Sequence, residues 1–231
     1  FIKFFQNHGL FKIMNRPQWY TVSNRSKAYV NKVLESISGE YFKNYQINKI
    51  QRNNSRVKVY YGDKNEFFDY EKVILATHAD QALKLIENPT EIEKNILSNF
   101  HYKENIAVIH SDDNFMPRNK KAWSSWNSII DKNNLEKNSI TYWLNLLQNL
   151  KIEKNIFLTL NPFFDIPENK IFKKVYFTHP FYNQSALENQ KQLQTIQNKE
   201  NILFCGSYFG YGFHEDGIKS SIEMIKKLYD K

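Results

Sequence analysis

Apolar residues recur along this chain at two spacings, and the change from one to the other marks its elements. Between Ser26 and Ile37, the apolar residues Ala28, Val30, Val33, Leu34 and Ile37 recur at three- and four-residue steps, the period of an amphipathic helix. Ser26 can cap that helix and Gly39 can stop it. Short strands are predicted at Tyr45–Arg52 and Val57–Tyr61, and Tyr61-Gly62-Asp63-Lys64-Asn65 then turns the chain into Glu66–Phe68. Lys72-Val73-Ile74-Leu75-Ala76 is almost continuously apolar, which suits a strand buried on both faces of a mostly parallel sheet. Gln81–Glu87 reads as helical. Thr90 and Glu93 form a capping-box signal for a second helix through Ile92, Ile96 and Leu97.

The middle has a different texture. Asn105–His110, Ala122–Asn127, Ser139–Trp143, Asn155–Leu160 and Lys173–Thr178 read as strands in series, which predicts an antiparallel sheet. Gln184–Ile196 is predicted as one helix. Asn201-Ile202-Leu203-Phe204-Cys205 is a second buried-strand run, and a final helix spans about Gly217–Tyr229, with Ile218, Ile222, Ile225 and Leu228 on one face.

Between that last strand and helix lie four of the seven glycines of the chain, Gly206, Gly210, Gly212 and Gly217. In a chain so poor in glycine, the clustering points to a local backbone requirement. A strand entering and a helix leaving such a loop turn unpaired amides towards a ligand, favouring phosphate or the electron-rich edge of a cofactor ring. Tyr208, Phe209, Tyr211 and Phe213 stand between the glycines and could wall a planar ligand; the alternative is a turn whose aromatics pack into the core. His214-Glu215-Asp216 lacks the second histidine of a zinc helix, so no metal site is expected. His78 closes a buried strand, where ligands of open α/β sheets sit.

The 231 residues carry 32 basic and 24 acidic side chains, a formal charge of +8. The lysines are spread along an asparagine- and lysine-rich chain and match no nucleic-acid motif, so no nucleic-acid partner is expected. The one cysteine, Cys205, excludes an intrachain disulfide. No apolar run approaches a membrane span and no secretory leader is visible, which leaves a cytoplasmic protein as the expectation and peripheral membrane contact open. The chain opens at Phe1 within an apolar pattern, Phe1-Ile2-Lys3-Phe4-Phe5, which predicts that an amino-terminal part of the same protein is missing.

The terminal stretch Phe204-Cys205-Gly206, with Phe209-Gly210-Tyr211-Gly212-Phe213-His214-Glu215-Asp216-Gly217, resembles the carboxy-terminal flavin-contacting segment of the FAD-dependent, amine-oxidase-like oxidoreductases. These are also known as predicted NAD/FAD-binding proteins, and a related domain opens the plant cyclopropane-fatty-acid synthases. Asn15-Arg16-Pro17-Gln18-Trp19, Val73–Gln81, Trp123–Asn127, Thr141–Trp143 and Leu158–Pro162 extend the resemblance over nearly the whole chain. It implies an α/β architecture in which an incomplete Rossmann-like FAD-binding domain is interleaved with a substrate domain on a mixed or antiparallel sheet. The implied divisions are a substrate-domain helix at 1–15, FAD-domain parts at 16–82 and 198–231, and the substrate domain at 83–197.

By the same resemblance, Ala76, Thr77, Gly206 and Ser207 approach the phosphate, ribityl or adenosine portions of FAD. The amides of Asp216, Gly217 and Ile218 face the flavin pyrimidine edge, Tyr208, Tyr211 and Phe213 face the substrate, and His214 is the candidate base. The implied activity is transfer of a hydride from an amine or acyl-chain substrate to FAD. The alternative is a lipid- or partner-binding module without turnover. The family's strand–Gly-x-Gly-x-x-Gly–helix does not occur in this sequence, and Ser23-Asn24-Arg25-Ser26 stands where the family carries glycines before a helix.

Overall fold

A computed structural model describes residues 2, 6, 9, 11–15, 18, 20–135 and 137–229. Parts of the opening apolar pattern and of the Asn15–Trp19 motif, and His8, fall outside these. Two compact units are present, residues 1–43 and 44–231.

In the first unit, helix α1 spans Arg25–Glu35. The chain enters it through Asn24 and Arg25 at φ of 62° and 64°. The left-handed turn thus forms without glycine, because asparagine tolerates this region better than most residues. Asn24, not Ser26, is the N-cap residue, and the helix ends at Ser36, whose hydroxyl donates to the Val33 carbonyl at 2.7 Å, ahead of Gly39. The same substitution recurs: nine of the eleven described non-glycine residues at positive φ are asparagines.

Among its described residues, the second unit holds three sheets. Strands β1 (Ile47–Asn53), β2 (Arg56–Tyr61) and β3 (Glu66–Tyr70) form an antiparallel meander. Strand β4 (Val73–Leu75) follows, then helices α2 (Ala79–Leu85) and α3 (Glu91–Leu97). The expected capping box closes α3: Glu93 N–H donates to Thr90 Oγ1 at 3.2 Å, and Thr90 N–H donates to Glu93 Oε2 at 2.8 Å. Buried Glu93 also pairs with Arg52 of β1 at 2.5 Å.

Five strands then build an antiparallel sheet, β5 (His101–His110), β6 (Trp126–Ile130), β7 (Asn138–Trp143), β8 (Phe157–Leu160) and β9 (Ile171–Phe181), in the order β6-β7-β8-β5-β9. The short helix α4 (Leu144–Leu147) joins β7 to β8. The predicted strand at Ala122–Asn127 is instead a 3-10 turn, Lys120–Ala122, followed by β6; Asn127 bonds back to Ser124 and so bends the entry.

One face of this sheet packs under Phe115 and Ile166 and carries a buried polar ladder. Asp112 N–H donates to His110 Nδ1 at 3.1 Å, which leaves the proton on Nε2 to be donated to Thr159 Oγ1 at 2.7 Å; Thr159 in turn meets Thr141 Oγ1 at 2.8 Å. Burial pushes the His110 imidazole down to about 4.

The predicted long helix after β9 is broken into α5 (Gln184–Gln190) and a 3-10 turn at Leu193–Ile196. Strand β10 (Ile202–Phe204) lies parallel to β4 in register Ile202↔Val73, Leu203↔Ile74 and Phe204↔Leu75. The two apolar runs are therefore neighbours in one sheet, separate from the middle strands. One side of this pair shares a core with Ile50, Val57, Ala82, Leu97, Leu193 and Ile196.

The final helix, α6, spans His214–Tyr229, and the expected burial of its isoleucine face is not found. Met224 is buried against Leu203 and Cys205, with Leu228 beside it, while Ile218, Ile222 and Ile225 are 57, 50 and 48% exposed.

Candidate functional site

Strands β4 and β10 end side by side, and the segments leaving them touch. Gly206 sits at φ 155°, a region open essentially to glycine alone. A Cβ there would stand 2.8 Å from the Tyr208 ring and 3.4 Å from the Thr77 carbonyl. The glycine therefore permits both the turn and the close approach of the β4 exit. Gly206 N–H donates to Ser220 Oγ at 2.9 Å, and that hydroxyl donates to Gly217 O at 2.7 Å, so loop and helix are tied together.

The loop is drawn together at one carbonyl and one carboxylate. Ser207 O accepts from Gly210 N–H at 3.1 Å, Gly212 N–H at 3.2 Å and the Tyr182 hydroxyl at 3.4 Å. Asp216 Oδ2 accepts from Tyr211 and Phe213 N–H, both at 3.0 Å. Gln190 Nε2 donates to Tyr208 O at 3.0 Å and to Gly210 O at 2.6 Å.

This geometry corrects the expected amide assignment. Asp216 and Gly217 N–H are already bonded to Phe213 O, at 3.1 and 3.2 Å. Because α6 begins at His214, Ile218 lies beyond its first turn, where helical geometry commits the N–H to the carbonyl four residues back. The open backbone donors are instead those of His214 and Glu215 at the helix start, and of Ser207 and Tyr208 in the loop; none has a partner among the described residues. Gly217 faces the Ser207 nitrogen, with 3.9 Å free for a Cβ.

Of the three aromatics expected to wall the substrate, Tyr208 points the other way. It is 2% exposed, packs edge-on against Phe100, and belongs to the main core, so it cannot line an open site. Its buried hydroxyl has no partner among the described residues, and burial pushes it well above the usual tyrosine range. Tyr211 and Phe213 are about half exposed, at 51 and 48%. His214 and Ala76 are exposed, and Thr77 and Ser207 are half-buried at the strand ends.

The structure adds residues that sequence reasoning missed. Tyr102 of β5 stacks on His78 with ring centroids 4.2 Å apart, and its hydroxyl accepts Ala79 N–H at 2.9 Å; burial raises that hydroxyl to about 12. His78 Nδ1 lies 3.4 Å from Thr178 Oγ1 of β9. Tyr182 reaches the loop as described, and burial raises its hydroxyl too. These side chains come from the far end of the antiparallel sheet, so no local pattern marks them. Among the described residues no group of metal-ligating side chains could hold an ion, and no helix is long and apolar enough to cross a membrane.

Comparison with solved structures aligns this arrangement with enzymes. A CLA-producing fatty acid isomerase from P. acnes superposes with a TM-score of 0.62 at 12% identity, covering 89% of this chain and 52% of the enzyme. A protein described as a protoporphyrinogen oxidase from Exiguobacterium gives 0.64 at 13%, covering 99% and 57%. Putrescine oxidase bound to putrescine gives 0.57 at 10%, covering 90% and 53%. The chain thus spans about half the length of these proteins, and at such identities the likeness shows the fold alone. No family model matches. Among curated proteins, the transcription factor AP2-Z of Plasmodium berghei (strain Anka) is 25% identical over 213 residues, which are 87% of this chain and 17% of that protein.

Proposed function

We propose that this chain is part of an FAD-dependent oxidoreductase of amine-oxidase type. The observation that carries the reading is the β4–β10 strand ends: a parallel pair opening onto a glycine loop, with the open N–H groups of Ser207, Tyr208, His214 and Glu215 beside it. Ligands of open α/β sheets sit at such carboxyl ends, and amides at a helix start favour an anion. The fold likeness supports the same reading.

The residues fit a flavin on one side. Gly206 holds the two strand exits close together, and Thr77 and Ser207 border the phosphate and ribityl side. The His214 and Glu215 amides, at the positive end of α6, would stabilise negative charge. Tyr211, Phe213 and His214 stand exposed for a substrate. FAD would supply hydride acceptance, and the chain's part is to orient it and to hold charge at its edge. A pyrophosphate cradle of the Gly-x-Gly-x-x-Gly kind has to come from another strand–loop–helix unit, which we assign to an amino-terminal part of the same protein.

The likeness to a transcription factor supports a nucleic-acid reading less well. Two of the three lysines of α6 are turned to its own acids, Lys219 to Glu215 and Lys226 to Glu223. The deciding experiment is flavin content of the protein purified from its own cells in its native polypeptide. Bound flavin that substrate bleaches is expected; a flavin-free protein overturns the reading.

A further inference from the structure

The five-stranded sheet has a second face, opposite Phe115 and Ile166. Cross-strand register places Trp126, Tyr142, Leu158, Ile109 and Lys173 in one row across all five strands. Side chains opposite one another in register share a face. The next row on that face includes Ile140, Ala107 and Val175. The face is partly open: Trp126, Ile140 and Val175 are 63, 39 and 36% exposed, Tyr142, Leu158 and Ile109 are half-buried, and the small Ala107 between them is buried.

Two features say what would cover it. The row holds four apolar or aromatic side chains and a single charge, with no carboxylate. That charge, Lys173, stands on the edge strand at one end and has no ion pair among the described residues, whereas Lys174, on the other face, is paired with Glu168 at 2.7 Å. Four inter-strand steps separate Lys173 from Trp126, about 19 Å. An extended alkyl chain advances about 1.25 Å per bond of roughly 1.5 Å, so about sixteen carbons match that span.

We propose that this row binds a long-chain carboxylate, with its head on Lys173 and its chain laid across the strands towards Trp126. A cationic amphiphile would meet Lys173 with no acid to receive it. A membrane surface would ask for cations around the apolar patch, and here the one charge of the row stands at one end. Lys173 lies eight residues along β9 from Phe181, about 26 Å of strand. The site is therefore separate from the flavin reading and does not depend on it.

The test is titration of the 231-residue chain with monomeric hexadecanoate, hexadecan-1-ol and octanoate, followed by tryptophan fluorescence without flavin. Saturable binding of one hexadecanoate is expected, with octanoate at least about a hundredfold weaker for its missing methylenes. Lys173→Gln should weaken hexadecanoate about fivefold, the scale of an exposed ion pair, and leave the alcohol unchanged, while Lys173→Arg retains binding. Leu158→Lys, with folding verified by circular dichroism, should abolish binding of both long chains. Several results would overturn the proposal: no saturable binding, an unchanged Lys173→Gln, binding only to anionic phosphatidylglycerol vesicles, or a dimer that Trp126→Asp dissociates. The assay contains no flavin, so its failure is distinct from a flavin-free native protein.

Discussion

The Asp216 carboxylate occupies the place where a Cβ on Gly210 would stand. From there it takes the Tyr211 and Phe213 N–H groups, and so closes the loop that joins β10 to α6. Asp216→Ala leaves both donors without that acceptor and should cost about 1–2 kcal/mol. Gly210→Ala should also destabilise, by overlap. In the double variant the carboxylate overlap is gone and only the Cβ of residue 216, 2.8 Å from the new Cβ, remains close, so the two costs should fall short of additive. Chemical denaturation of the four proteins measures the coupling; strict additivity would contradict this account of Gly210.

Gly206 and Gly217 should separate sharply. Gly206→Ala forces a side chain into a glycine-only conformation against the Tyr208 ring and should cost at least about 1–3 kcal/mol. Gly217→Ala has free space within a helix and should be neutral or stabilise by up to about 1 kcal/mol. Its Cβ would stand 3.9 Å from the Ser207 nitrogen, one of the open donors of the proposed flavin site, so the same Gly217→Ala should lower flavin retention in the native protein without lowering its melting temperature. Unchanged retention would remove the Ser207 amide from the cofactor site.

The 231-residue chain purified alone should carry little or no FAD. No strand–Gly-x-Gly-x-x-Gly–helix occurs in its sequence, and that element would supply amides and a helix dipole to the pyrophosphate. Absorbance of the purified chain checks this, and stoichiometric flavin would show the loop and strand ends to suffice.

Acid should unfold the second unit partly through His110. Its folded value, about 4, lies below the ordinary histidine value of 6.5, so between these the unfolded chain binds more protons. Stability is then fully present above pH 6.5 and falls as pH drops towards 4, by roughly 3 kcal/mol from this residue. His110→Gln should flatten the stability profile in that window while lowering stability at neutral pH. An unaltered slope would exclude His110 as the group responsible.

The two apolar sides of α6 also differ in a measurable way. Met224→Ala should cost about 2–4 kcal/mol, as a buried large-to-small change. Ile222→Lys, on the exposed side of the isolated chain, should stay within about 0.5 kcal/mol. Equal costs would mean that the isoleucine stripe is covered in solution.

What the sequence determined by itself was local. Consecutive apolar residues at Val73–Leu75 and Ile202–Phe204 identify a parallel strand pair, but the expected burial of both faces holds for β10 alone, since Ile74 of β4 is 45% exposed. Thr90 and Glu93 specify the start of α3, since capping involves groups within one turn. The glycine cluster marks the β10–α6 loop, since the backbone requirement lies in the glycines themselves. Tertiary structure alone decided which way each side chain faces. α6 has apolar residues on two sides, and Met224 is buried because Leu203 and Cys205 happen to lie beneath it. Tyr208 turns inward because Phe100, more than a hundred residues earlier, offers it a packing partner. Asp216 spends the loop amides on closing the turn, which moves the open donors to His214, Glu215, Ser207 and Tyr208. Tyr102 and Tyr182 reach the site only because the antiparallel sheet ends there, and residues so far apart in the chain leave no mark in its local pattern.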